Sequence, residues 1–267
     1  MKSPLTYYGG KNKMLPYIIP NLPEDHSVFV EPFGGSLAVL LAKEPVKNEV
    51  VNDRNSALMN FFSVLTSDFE ELKQKIEQTP YSRIAFKVAR VMYDYPQWFN
   101  PVQRAWSYFV ISNQSFSGNI ASWGPYRKGC RADTYQHKKE SLTPELRVRL
   151  SRVQMECKDA VALIEQMDSA ETLFYLDPPY FNSICLPYEG AYTENDFKRL
   201  LEALSKLKGR FLLSSYPSTL LNEYVTKYGW HQKAVIQRIT VNKTKTGKNR
   251  LKTEVLTANY PIEIPAE

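Results

Sequence analysis

The segment from Ser27 to Asp53 constrains the fold more than any other stretch of this 267-residue chain. Ser27-Val28-Phe29-Val30-Glu31 reads as a short buried strand, Pro32-Phe33-Gly34-Gly35-Ser36 as a glycine turn, and Leu37 to Ala42 as a helix. Glu49-Val50-Val51-Asn52 is a second short strand, and it ends at the acid Asp53. A strand that leaves through glycines into a helix and returns as a strand is the building unit of a parallel α/β sheet. Its turn packs a nucleotide-like ligand against backbone N–H groups. Asp53 lies 18 residues beyond Gly35, close to the ~20-residue offset at which an acidic side chain meets ribose hydroxyls. The competing reading makes Asp53 a cap for a helix beginning at Asn55 or Ser56. The ordered series of strand, turn, helix, strand and acid favours the ribose. The glycines do not form G-x-G-x-x-G, which counts against a dinucleotide dehydrogenase.

A second stretch puts reactive groups on such a sheet. Leu173-Phe174-Tyr175-Leu176 is a short apolar run, and Asp177-Pro178-Pro179-Tyr180 follows it. The prolines lack an N–H and hold φ near −65°, so they end the strand and stiffen its exit. The Asp177 carboxylate, the Pro178 carbonyl and the Tyr180 ring are thereby presented at the carboxyl end of a strand, where open α/β sheets bind ligands. Two acceptors beside an aromatic face suit a planar substrate bearing an exocyclic amine, as adenine and cytosine do. Acceptors aimed at that nitrogen support the positive charge that grows on it. Stacking on Tyr180 would contribute roughly 1–3 kcal/mol. An ordinary strand exit is the plainer reading of this tetrapeptide taken alone.

Composition narrows the class without naming a ligand. Hydrophobic residues make up 43% and charged residues 23%, ordinary for a folded soluble protein. No run of 18 apolar residues is present, and Met1-Lys2-Ser3-Pro4 opens directly into a motif, so neither a membrane span nor a signal peptide is expected. Cys130, Cys157 and Cys185 are odd in number and far apart, which points to a reducing compartment rather than a disulfide framework. His26, His137 and His231 stand singly, so no metal site is expected. The net charge of +6 is a mild bias towards a polyanion.

Between these two stretches the character changes. Residues 57–78 and 81–113 carry helical periodicity with many aromatics, which predicts a helical insertion. Ser112-Asn113-Gln114-Ser115-Phe116-Ser117-Gly118-Asn119 suits a loop, and residues 119–137 hold turn signals compatible with a protruding hairpin. From Arg127 to Arg152 run eight cations (Arg127, Lys128, Arg131, Lys138, Lys139, Arg147, Arg149 and Arg152). A basic, aromatic-laced insertion supplies charge for phosphates and flat side chains for bases; a solvated charged face would look the same. Sheet signals resume at Val153 to Cys157, with Lys158-Asp159 at the end and a helix over Ala160 to Gln166. Thr193-Glu194-Asn195-Asp196 caps an amphipathic helix, Arg210 to Ser215 is a buried strand, and Ala234 to Val241 with Thr253 to Tyr260 form a hairpin with a basic tip. Near the start, Tyr7-Tyr8-Gly9-Gly10-Lys11 is a tight turn beside a charge, followed by a short helical pattern up to Pro20.

Taken in this order, Gly9-Gly10-Lys11, Phe29-Val30-Glu31-Pro32-Phe33-Gly34-Gly35, Asp53 and Asp177-Pro178-Pro179-Tyr180 resemble the Dam-like N6-adenine DNA methyltransferases, the D12 class. The resemblance covers nearly the whole chain. It implies a Rossmann-like methyltransferase sheet closed by a reversed carboxyl-terminal hairpin, with an inserted, mainly helical target-recognition domain. On that plan residues 1–56 and 153–267 form the catalytic domain and 57–152 the insertion. The resemblance implies S-adenosylmethionine as cofactor, held by Tyr7, Gly9, Gly10, Lys11, Asp53 and Asp177, with Glu31, Pro32, Phe33, Gly34 and Asp159 nearby. It makes Asp177, Pro178, Pro179 and Tyr180 the catalytic group, acting on a flipped adenine. Double-stranded DNA is the implied partner, with Asn113, Ser117, Arg127, Lys128, Arg131, Lys138 and Lys139 as its contacts. A monomer or weak dimer in a prokaryotic or phage-infected cytoplasm is implied, with or without a cognate restriction endonuclease. The rival activities are N4-cytosine or RNA adenine methylation, and a silent nucleic-acid-binding subunit of the same fold. Tyr7 replaces a tryptophan common in the family, Leu37 stands where another glycine is frequent, and Phe116-Ser117-Gly118 resembles a family Phe-Asn-Gly.

Overall fold

A computed structural model describes residues 1–7, 9–116, 120, 122–124, 131–181, 192–243 and 249–263. The described residues form seven strands, β1 (Val28–Glu31), β2 (Asn48–Asn52), β3 (Val153–Glu156), β4 (Thr172–Leu176), β5 (Arg210–Ser215), β6 (His231–Lys243) and β7 (Asn249–Ala258). They form one sheet in the order β3-β2-β1-β4-β5-β7-β6. β2 with β3, β1 with β4 and β4 with β5 are parallel pairs, whereas β7 runs antiparallel to both β5 and β6. This is the Rossmann-like methyltransferase sheet with its reversed carboxyl-terminal hairpin. The chain divides into two compact units: Met1–Lys13, Gly34–Pro45 and Glu49–Lys158 make one, and Met14–Phe33, Val46–Asn48 and Asp159–Glu267 the other.

In the first unit the helices α2 (Ala38–Ala42), α3 (Ser56–Ser67), α4 (Phe69–Glu77), α5 (Arg83–Asp94), α6 (Pro101–Gln114), α7 (Arg131–Glu140) and α8 (Pro144–Leu150) accompany β2 and β3. The expected helix over 57–78 is broken at Asp68, whose φ of −128° and ψ of 43° end α3 and start α4. The apolar spacing Phe62, Leu65, Phe69, Leu72 and Ile76 runs straight through the break, so periodicity carries no mark of it. The expected helix over 81–113 is likewise two. Pro96 opens a 3-10 turn after α5, and Asn100 and Gln103 then form a reciprocal cap on α6, with Pro101 at its first position. Phe61 is the centre of this core, with ring centroids 5.4 Å from Phe62 and 6.1 Å from Phe109. In the same unit Glu49, its side chain 2% exposed, pairs with Lys43 at 2.6 Å and with Arg149. Burial pushes the Glu49 carboxyl up, but hydrogen bonds from Arg149 and Lys43 outweigh it and leave its pKa below the ordinary value.

In the second unit β1, β4 and β5 are the buried centre. Phe29, Val30, Leu173, Phe174, Phe211, Leu212 and Leu213 are fully buried, as near-continuous apolar strands covered on both faces must be. The register pairs Val30 with Phe174 and Leu176 with Leu213. α1 (Leu15–Ile18), α9 (Ala160–Met167), α10 (Glu194–Leu204) and α11 (Thr219–Tyr228) belong to this unit. Thr193 and Asp196 form the expected reciprocal cap on α10, and Ser218 caps α11. The hairpin is longer than its apolar pattern, because ladder pairing extends to Lys243 and Asn249 with a register shift beyond Ile239. Most of its predicted tip, 244–248, lies outside the described residues. Among the described residues no helix is long and apolar enough to cross a membrane, and no cluster of His, Cys, Asp and Glu is arranged to hold a metal.

Candidate active site

The first unit brings three separated motifs together. Gly10 donates its N–H to the Tyr7 carbonyl at 3.1 Å, closing a turn in which Gly9 has φ of +78°. Lys11 begins a 3-10 turn directly after it and is 5% exposed. The glycine turn that follows β1 packs against the end of β2: Gly34 donates to the Asn52 carbonyl at 2.7 Å. A Cβ at Gly34 would stand 3.1 Å from that oxygen and 2.9 Å from a Leu37 methyl. Gly35, at φ of +49°, has the Tyr7 ring where its Cβ would be, at 3.0 Å. Leu37 itself takes a left-handed conformation, φ 56°, and enters α2 from there.

Asp53 ties the turn down. Its Oδ2 accepts from the Gly35 N–H at 3.0 Å and its Oδ1 from the Asn55 N–H at 2.9 Å. It does not cap α3. Asn55 does, accepting from Ala57 and Leu58. Burial pushes the Asp53 carboxyl above its ordinary pKa, and the two backbone N–H groups only partly offset this. The arrangement sets a half-buried carboxylate and an aromatic ring against the same glycine backbone.

The second unit holds the strand exit. Pro178 is buried and Asp177 is half-buried beyond the end of β4. The Tyr180 hydroxyl donates to Asp177 Oδ1 at 3.3 Å. Glu31, buried at the end of β1, joins Asp177, Tyr180 and Glu254 in raising the pKa of Tyr175, though burial is the larger cause. Phe33 meets Tyr192 edge-on at 6.2 Å. Asp159 caps α9 through Ala162 and pairs with Arg199. A small pocket lined by Pro178, Pro179, Tyr180, Phe197, Ser215 and Tyr216 opens beside the exit.

Three residues of this site escaped the sequence reading. The Tyr216 ring lies 4.1 Å from that of Tyr180 at an interplanar angle of 33°. The Lys252 ammonium sits 4.8 Å from the Tyr216 centroid and 5.4 Å from that of Tyr180, and pairs with Glu254 at 2.6 Å. Burial would lower the pKa of Lys252, yet hydrogen bonds to Glu254 and Tyr216 more than offset it and raise the pKa above its usual value. The available signals were the Ser215-Tyr216-Pro217 exit of the neighbouring strand and the i, i+2 spacing that puts Lys252 and Glu254 on one face of β7.

The residues expected to contact DNA divide. Ser117, Arg127 and Lys128 lie outside the described residues. Asn113 accepts from the Thr6 N–H and hydroxyl, both at 2.9 Å, and donates to the Pro4 and Phe109 carbonyls. Lys138 donates to the Ser3 and Leu5 carbonyls, each at 2.9 Å, and Lys139 to that of Glu77 at 3.0 Å. The polar atoms of these three bond to groups of the chain itself. Burial lowers the pKa of both lysines. Arg131 lies over the Phe116 ring at 5.8 Å. Of the stretch 119–137 expected to form a hairpin, 119, 121 and 125–130 lie outside the described residues, Trp123 bridges Ser115 in antiparallel fashion, and 131–137 are helical, within Arg131–Glu140. Asp133 in the first turn and His137, Lys138 and Lys139 in the last complement the helix dipole, and Tyr135 and Lys139 share its buried face.

The family model for D12 class N6 adenine-specific DNA methyltransferases matches residues 7–239. A type II methyltransferase of Lactococcus lactis subsp. cremoris, M1.LlaDCHI, is 25% identical over 94% of this chain and 93% of its own length. The modification methylase LlaI of Lactococcus lactis subsp. lactis is 23% identical over 97% of this chain. The type II methyltransferase M.FokI of Planomicrobium okeanokoites is 24% identical, again over 97%. The chain spans 43% of the length of each of these last two relatives.

Proposed function

The chain belongs to the D12 class N6 adenine-specific DNA methyltransferase family, and from that premise we propose that it methylates the N6 amine of an adenine in double-stranded DNA, with S-adenosylmethionine as donor. The observation that carries the proposal is the exit of β4. The Asp177 carboxylate, with the Tyr180 hydroxyl on its Oδ1, stands beside a pocket walled by prolines and aromatic rings.

The residues present suit the cofactor. Gly34 and Gly35 keep the backbone bare where any Cβ would be crowded, the Tyr7 ring lies on the turn, and Asp53 offers a carboxylate beside it. In this reading Tyr7, Gly9, Gly10, Lys11, Gly34 and Asp53 hold the donor, with Glu31, Pro32, Phe33 and Asp159 assigned to the same task. When bound, S-adenosylmethionine would supply a methyl group on a sulfonium, whose departure as a neutral thioether calls for no general acid. Asp177 and the Pro178 carbonyl accept hydrogen bonds from the amine N–H groups and stabilise the charge developing on nitrogen, which is discharged when the methylated amine gives up one proton to solvent. Tyr180 stacks on the base, which must be extruded from the duplex at a cost of a few kcal/mol. Positioning and electrostatics then supply most of the acceleration, and no side chain serves as a nucleophile. We assign target recognition to residues 57–152, with Arg127, Lys128, Arg131 and Ser117 as its DNA contacts, and cofactor binding and catalysis to 1–56 and 153–267.

The test is methyl transfer from tritiated S-adenosylmethionine to duplex DNA, followed by digestion to nucleosides. Label in N6-methyldeoxyadenosine is expected. Label in N4-methyldeoxycytidine, transfer to RNA alone, or none at all would overturn the reading.

A further inference from the structure

Lys252 lies on β7, far in sequence from the Asp177-Pro178-Pro179-Tyr180 exit, yet its ammonium touches what orients Tyr180. It stands 4.8 Å from the Tyr216 ring and 5.4 Å from that of Tyr180, within reach of cation–π attraction to both. Its other partner is the carboxylate of Glu254, 2.6 Å away on a side chain only 3% exposed, which holds the ammonium in place. The two rings are 4.1 Å apart, and the Tyr180 hydroxyl is committed to Asp177 Oδ1. Tyr180 is thus held at its hydroxyl by the carboxylate, across its ring by Tyr216, and by one cation that bridges both rings.

We propose that Lys252 is a positioning residue of the methyl-transfer step, setting the tilt of Tyr180 through Tyr216 and so the place where an extruded base stacks and meets Asp177. The inference rests on the N6-adenine reading. Lys252 touches neither donor nor amine in this scheme, so its effect falls on geometry rather than on bond making. Its removal alone takes the Lys252 cation away from a Glu254 side chain that is 3% exposed, which threatens the fold. Lys252→Met combined with Glu254→Gln removes both charges at similar volume, and Lys252→Arg keeps both the cation over the rings and the ion pair.

The experiment is single-turnover methyl transfer at saturating DNA for the wild type, Lys252→Arg and the double variant, with cofactor affinity measured by calorimetry. The double variant is expected to lose about tenfold to a hundredfold in the single-turnover rate, as displacement of a positioning group by an ångström does. Cofactor affinity should stay within about twofold, and Lys252→Arg should restore most of the rate, a kcat effect that lost stability alone does not produce. Should the double variant not fold, Tyr216→Leu removes the ring that relays the ammonium's position and carries the same expectation. A folded double variant with wild-type rate, or a failure of Lys252→Arg to restore it, overturns the role of Lys252 alone. A wild type that methylates no adenine overturns the N6-adenine reading itself.

Discussion

Replacing Asp53 by asparagine should separate stability from cofactor affinity, and the structure indicates the size of each effect. A carboxylate has about four acceptor sites. Asp53 uses one on each oxygen, for Gly35 and Asn55, which leaves one per oxygen for a pair of vicinal hydroxyls. Asparagine presents a single acceptor oxygen, so at least one hydrogen bond to a charged acceptor is lost. Such bonds contribute about 1.5–3 kcal/mol each, and about 1.4 kcal/mol is a factor of ten. The Kd for S-adenosylmethionine should therefore rise about tenfold to a hundredfold. Stability should change little, because asparagine sheds a buried charge but turns its NH2 group towards either the Gly35 or the Asn55 N–H. The folded-state pKa of Asp53 is raised by burial, so the ionised form is less favoured folded than unfolded. Folding stability from this group falls as pH rises from the unfolded value of 3.8 through the raised folded value, and at neutral pH its charge is a net cost. A neutral asparagine removes that cost. Calorimetric titration at neutral pH gives the first quantity and thermal melting of the free protein the second. Cofactor affinity of the wild type should also weaken as pH falls through the raised pKa, while the Asn variant shows no such step. Unchanged affinity, or a melting temperature lowered as far as by a core cavity, would refute the assignment.

Asp177→Ala should reduce the single-turnover rate by about two to three orders of magnitude with little change in melting temperature, because an acceptor aimed at developing charge is lost; near wild-type turnover would contradict it. Glu49→Gln should destabilise the protein by about 3–5 kcal/mol by urea titration, since it leaves two nearly buried cations without their carboxylate. Because the Glu49 pKa is depressed, its contribution is present above the unfolded value of 4.5 and lost as pH falls through the folded value. The acid limb of the wild-type stability curve should therefore be steeper than that of Glu49→Gln. Lys138→Met should lower the melting temperature by orphaning the Ser3 and Leu5 carbonyls and leave the salt dependence of DNA binding unchanged. A slope reduced by about 0.9 would show a phosphate contact instead.

The strands and caps were legible because each is a local pattern. Arg210–Ser215 falls between the bounds its apolar run indicates, and Thr193 with Asp196 announces α10 through side chains three residues apart. The Ser27–Asp53 series encodes its own strand, turn, helix and strand, for a glycine turn against a strand end needs nothing from elsewhere in the chain to be recognised. The bend at Asp68 was not legible, because the same apolar spacing serves one straight helix or two that change direction.

What the side chains do was decided by tertiary packing. Whether Asp53 caps a helix or braces Gly35 depends on where β2 lies against the glycine turn, and Asn55 could serve as the cap from either arrangement. Tyr180, Tyr216, Lys252 and Glu254 meet because β4, β5 and β7 are neighbours in the sheet, with β7 antiparallel; no local pattern carries that order. Lys138 and Lys139 read as DNA contacts in a basic run that includes Arg149, since a cation has the same letter whether it faces a phosphate, water or a buried carbonyl. Only the fold supplied the carbonyls of Ser3, Leu5 and Glu77 and the carboxylate of Glu49 that draw those charges inward.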